Sequence, residues 1–170
     1  MIVNRSLPPG AVVPVLIYAN VGEAIDWLCK AFGFAERLRY GPEGNPGGAQ
    51  LSVGEGAVFL TSPRVGQSPN WADQAELRPP RPNEVTQCVL VRVEDVDRHH
   101  ERARQAGARI LSPPETHPPG ERQYTAGDLC GHRWTFSQSV ADVAPEAWGG
   151  RPAGLSILSR RVSEPSMKRP

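Results

Sequence analysis

The imidazoles and thiols that could hold a metal ion or act as nucleophiles are His99, His100, His117 and His132, and Cys29, Cys88 and Cys130. His99 and His100 are neighbours on a helical stretch, where adjacent side chains point about 100° apart and cannot readily share one ion. His117 sits in the proline-rich segment THPPG and His132 in the turn GDLCGHR. None has ligand partners at the usual spacings, so each reads as structural. The sequence has no CxxC, HExxH, GxSxG or glycine-rich phosphate loop. Cys88 lies in the β-branched run VTQCVLVRV with Arg92 nearby, which could favour a thiolate, but a small buried thiol that fills space is the commoner use of such a residue. No ready-made catalytic constellation is present, and an enzymatic role is not the favoured reading.

The elements that position these residues follow from pattern. Residues 12–19 (VVPVLIYA) read as a strand, Asn20 as a helix cap, and Val21, Ala24, Ile25, Leu28 and Phe32 as the apolar stripe of a helix stopped by Gly33. Three short strands follow at 34–40, 48–53 and 57–62, separated by glycine-rich turns. The order then restarts. Residues 85–93 read as a strand, Asp95 caps a helix with Val96, Ala103 and Ala106 on one stripe, and Gly107 ends it. Asn20 to Asp95 is a shift of 75 and Gly33 to Gly107 one of 74, which points to an internal duplication. ARILSPP, RQYTAGD and HRWTFSQ supply the second set of three strands. Asp128, Gly131 and His132 suit a tight hairpin between the last two, and Trp134 and Phe136 alternate with Arg133 and Thr135, so one pair should pack on a helix and the other face the opposite side.

The expected organisation is α+β: two βαβββ modules forming a curved mixed sheet around a central cavity, with helices on the outer face. Residues 1–10 form an N-terminal extension, 11–62 the first module, 63–84 a proline-rich linker with a helical turn at WADQAEL, 85–138 the second module, and 139–170 a C-terminal segment with a flexible tail. At 170 residues one such unit has enough chain for a real core. Nineteen Lys plus Arg against 18 Asp plus Glu leave a formal charge of +1, which excludes a field that would gather nucleic acid. No stretch approaches roughly 18 apolar residues, so no membrane span is expected. An odd number of unpaired cysteines suits a reducing, cytoplasmic setting.

In its element order the chain resembles the vicinal oxygen chelate superfamily, which includes glyoxalase I, extradiol dioxygenases and bleomycin-binding resistance proteins. The resemblance rests on NVGEAIDWLCKAFGF, on VRVEDVDRHHERARQAGARI and above all on GERQYTAGDLCGHRWTFSQ followed by AWGG. It is nearest to the bleomycin-resistance-like branch.

That resemblance implies a sharp test. Members with chemistry place His, Glu or Gln on four strands around one divalent ion, and the matching positions here are Val13, Phe59, Cys88 and Thr135. None is a usual ligand for such an ion. A slip of two residues brings in Val15, Ala57, Leu90 and Arg133, which is no better. The expectation is therefore a cofactor-free pocket that binds or sequesters a small molecule, with a role in antibiotic or toxin resistance, rather than a divalent-metal lyase, isomerase or dioxygenase. Its expected ligand-binding residues are Phe59, Trp71, Cys88, Leu90, Arg92, Arg122, Tyr124, Arg133 and Thr135, with Val13 and Val15 also facing inward and Trp71 and Tyr124 closing the pocket. Aromatic faces with guanidinium groups suit an aromatic or conjugated, partly anionic ligand. Bleomycin-binding relatives hold their drug between two subunits, so a homodimer is expected. The chain lacks the acidic excess that would favour a cationic glycopeptide.

Overall fold

The computed structural model describes residues 6, 8, 10–63 and 77–151. The first module runs β1 (Val15–Ile17), α1 (Val21–Phe32), β2 (Ala35–Tyr40), β3 (Gly48–Val53) and β4 (Gly56–Thr61). The second runs β5 (Cys88–Arg92), α2 (Val96–Gln105), β6 (Arg109–Thr116), β7 (Glu121–Gly127) and β8 (Arg133–Ser139), and a 3₁₀ turn at Pro145–Trp148 follows. The strands form two four-stranded mixed sheets of matching order, β1-β4-β3-β2 and β5-β8-β7-β6. In each the first strand pairs in parallel with the last, Val15 opposite Phe59 and Leu90 opposite Thr135. The α+β class and the repeated βαβββ order are thus observed, as two sheets rather than one closed barrel.

The first strand is shorter than the eight residues that the β-branched run suggests. Pro14 has no N–H to give to a ladder, and only its carbonyl joins the sheet, accepting from the Phe59 N–H at 2.8 Å. The helices begin and end where their residue types require. Asn20 Oδ1 accepts from the Glu23 N–H at 3.0 Å, Asp95 accepts from the Arg98 N–H at 2.9 Å, and Gly33 takes the left-handed φ of 71° that stops α1. All five stripe residues of α1 are buried, whereas α2 buries only Val96 and Ala103.

The helix-facing sides of both sheets share one core. Phe32 at the end of α1 lies 5.7 Å from Trp134 and 4.7 Å from Phe136, centroid to centroid, and Phe34 lies 5.3 Å from Trp134. Trp134, Phe136 and Tyr124 are fully buried, each worth roughly 1.5–3 kcal/mol of apolar burial. Polar groups lock the joint. Tyr18 donates to Asp128 Oδ2 at 2.6 Å, and Trp134 Nε1 donates to the same oxygen at 3.0 Å. Asp128 Oδ1 accepts from the N–H groups of Cys130 and His132, both at 3.0 Å, which is the hairpin role its position suggests. The His132 ring reaches the Ile17 carbonyl at 2.8 Å, 115 residues away in sequence. No helix among the described residues is long and apolar enough to cross a membrane.

Candidate functional site

With the core on the helix side, the opposite face of each sheet is open in part: Val15 and Leu90 stay exposed, while Ile17, Gln50 and Ser137 are buried. On the second sheet Cys88, Leu90 and Arg92 of β5 and Arg133 and Thr135 of β8 lie on that face, and Leu90 is 58% exposed. Cys88 Sγ is 3.2 Å from Thr135 Oγ1, which is 3.2 Å from Thr125 Oγ1. Cys88 is exposed, so the reading of a buried, space-filling thiol is corrected: β5 is an edge strand and nothing described covers its open side. Beyond Thr135 the same side of β8 carries Ser137 and Ser139, whose hydroxyls donate to Glu121, and Arg92 donates to Ser139 Oγ at 3.2 Å. These hydroxyl donors, aided by the nearby Arg92 charge, hold the Glu121 carboxyl below its ordinary value. Gln123 joins the ladder through Ser137 at 3.1 Å.

On the first sheet the open face is more apolar. Val15 is 51% exposed, and Phe59 sits 5.9 Å from the Tyr40 ring. Gln50, directly opposite Phe59 on β3, accepts from Arg37. Gly48 lies against the Tyr40 ring, where a Cβ would overlap the hydroxyl and push the ring aside. Val13 precedes β1 and is half-buried.

Two expected site residues lie elsewhere. Tyr124 is opposite Phe136 in the β7–β8 register, so it points to the helices, where it is fully buried and its hydroxyl is 2.6 Å from His99 Nδ1. Burial alone pushes its pKa up. Arg122 shares that face and forms a two-toothed pair with Asp97 of α2 at 2.7 and 2.9 Å. Strand alternation excludes both from the open face, whose β7 residues are Glu121, Gln123 and Thr125. Trp71 and the helical turn expected at WADQAEL lie outside the described residues, apart from Leu77.

Tyr40, Gln50, Thr125, Glu121, Ser137 and Ser139 were missed by sequence reasoning. Ser137 and Ser139 follow from Thr135 by the period of two. Tyr40 does not, because a register shift between Glu36 and Leu38 breaks the alternation in β2.

The four positions that would hold a divalent ion do not fit one. Val13 and Phe59 offer only carbon, and the donors at the other two are a thiol and a hydroxyl bonded to each other. Among the described residues no three His, Cys, Asp or Glu side chains stand close enough to share an ion.

Comparison with known proteins places this geometry. The family model of the glyoxalase/bleomycin resistance protein/dioxygenase superfamily matches residues 11–136. The chain belongs to that superfamily. Among solved structures it is similar to TioX from Micromonospora sp. ML1, with 34% identity, a TM-score of 0.62, and coverage of 76% of this chain and 98% of that one. A glyoxalase/bleomycin resistance protein/dioxygenase from Nocardioides shares the fold at 20% identity and a TM-score of 0.59, covering 86% of this chain and 89% of its own. An uncharacterized protein of Mycobacterium tuberculosis is 29% identical over 134 residues, which is 78% of this chain and 76% of that protein.

No hydrogen bond or ring contact among the described residues links the Val15–Phe59–Tyr40 set to the Cys88–Leu90–Thr135 set. An open hollow of about 880 Å³ lies at the helix side and is lined by Phe32, Phe34, Val91, Arg98 and Arg102, among others, but by none of Phe59, Cys88, Leu90 or Thr135.

Proposed function

We propose that the protein binds and sequesters a small molecule on its open sheet faces without a metal, as a bleomycin-resistance-like member of its superfamily. The observation that carries this reading is the residue set at the four ligand positions: two carbon side chains on the first sheet and a mutually bonded thiol and hydroxyl on the second, with Val15 exposed on one face and Leu90 and Arg133 on the other. Phe59 and Tyr40 supply an aromatic wall, and Cys88, Thr125 and Thr135 supply hydrogen-bonding groups. Arg133 and Arg92 suit a carboxylate or other anion. An aromatic or conjugated molecule fits these walls, and a role in resistance to a toxic natural product follows from sequestration.

In this reading two copies form a homodimer that sets the first sheet of one copy against the second sheet of the other, giving the pocket both walls. Three free thiols suit a reducing, cytoplasmic setting. Thermal-shift and native mass spectrometry screening with aromatic natural products tests the binding role, and light scattering tests the dimer. Stoichiometric Fe, Mn, Ni or Zn in protein purified without chelator would replace this reading with a metal-dependent lyase, isomerase or dioxygenase.

A further inference from the structure

Residues 77–87 form a strap beside β1, and between strap and strand lies a hollow of about 540 Å³. Among its lining residues are Val15 and Ile17 on the sheet, Pro79, Pro80 and Val85 on the strap, and His132, while Arg78, Arg81 and the Glu84 that pairs with both also border it. The strap holds its own shape: the Glu84 N–H donates to the Arg81 carbonyl at 3.0 Å, and Asn83 takes a left-handed φ of 65°.

His132 is only 6% exposed, and its hydrogen bonding is incomplete. Nε2 faces the Ile17 carbonyl at 2.8 Å, and a carbonyl can only accept, so Nε2 carries the proton. In the neutral ring Nδ1 is then a bare acceptor, and among the described residues no hydrogen bond reaches it. Among the described residues no enclosed side-chain nitrogen or oxygen lacks a partner, so Nδ1 still reaches open space. His132 is among the residues that line the hollow described here.

We propose that this hollow is a second small-molecule site, for a flat apolar molecule or moiety that carries one N–H or O–H donor directed at His132 Nδ1. Prolines and branched aliphatic groups cover the faces of the guest, and the imidazole reads its single donor. The site shares Val15 with the sheet face but uses neither Phe59 nor Thr135, so it stands whether or not that face binds a ligand.

Indole and benzofuran test it, because they match in shape and differ in the N–H. Ligand-observed NMR titration of the full chain should show indole binding roughly fivefold more tightly, the worth of one ordinary hydrogen bond. His132→Gln keeps an amide donor near the place of Nε2 but has no accepting atom at the place of Nδ1, so it should bring the two probes level. Val85→Trp should fill the hollow and weaken both, and indole should shift the His132 Nδ1 resonance in the wild type. Where His132→Gln fails to fold, the wild-type probe pair, the Nδ1 shift and Val85→Trp decide the matter. Equal affinity of the two probes, no binding of either, a preference that survives His132→Gln, or affinities left unchanged by Val85→Trp would overturn the assignment.

Discussion

Replacing Asp128 with Ala should cost about 4 kcal/mol, because it strips four donors of their acceptor at once. Tyr18 and Trp134 are fully buried, and each would be left with an unsatisfied donor costing roughly 1–3 kcal/mol. The hairpin N–H groups of Cys130 and His132 lose their bonds as well. The Tyr18 hydroxyl keeps its proton, since burial first and the Asp128 carboxylate second raise its pKa well above the ordinary value. Tyr18→Phe alone should therefore cost about 2 kcal/mol, the worth of a charge-assisted bond. In the Asp128→Ala background the same change removes an orphaned hydroxyl and should cost nothing or stabilise. Urea unfolding of the two single variants, the double variant and the wild type measures the coupling, expected near 2 kcal/mol. Additivity within about 0.5 kcal/mol would refute the idea that this carboxylate locks the two modules together.

Three further outcomes follow from the same structure. Burial lowers the His99 pKa below its unfolded value, so its contribution to stability is complete above about pH 6.5 and is lost as pH falls from there toward the folded-state value; urea midpoints measured from pH 8 to pH 5 should drop, and His99→Gln should flatten that drop. Cys88 is exposed, while Cys29 and Cys130 are half-buried with thiols pushed up by burial, so Ellman's reagent should show one fast thiol and two slow ones, the fast phase vanishing in Cys88→Ser. Gly48→Ala should displace Tyr40 from Phe59, lowering the melting temperature by a few degrees, as a cost of about 1 kcal/mol does in a chain of this size, and weakening any aromatic ligand held on that face.

Much of the fold was readable because local and repeating signals agree. The caps Asn20 and Asp95, the stripe ending at Phe32, and the alternation of Trp134 and Phe136 with Arg133 and Thr135 each state a face or boundary within a few residues of chain. What failed was non-local or broke a period. Tyr124 reads as a pocket aromatic beside Arg122 and Gln123, yet its face is set by its β8 neighbour Phe136. The bulge in β2 hides Tyr40, and Pro14 shortens β1. The bond from His132 to Ile17 spans 115 residues, and no window along the chain contains both partners.

The most direct test of the metal-free reading is elemental analysis of protein purified without chelator, joined to an aromatic-ligand thermal-shift screen repeated after chelation. The account predicts no stoichiometric divalent metal and ligand-induced shifts that chelation leaves unchanged and Phe59→Ala reduces. Stoichiometric metal, or shifts that vanish with chelator and return with Fe, Mn, Ni or Zn, would contradict it.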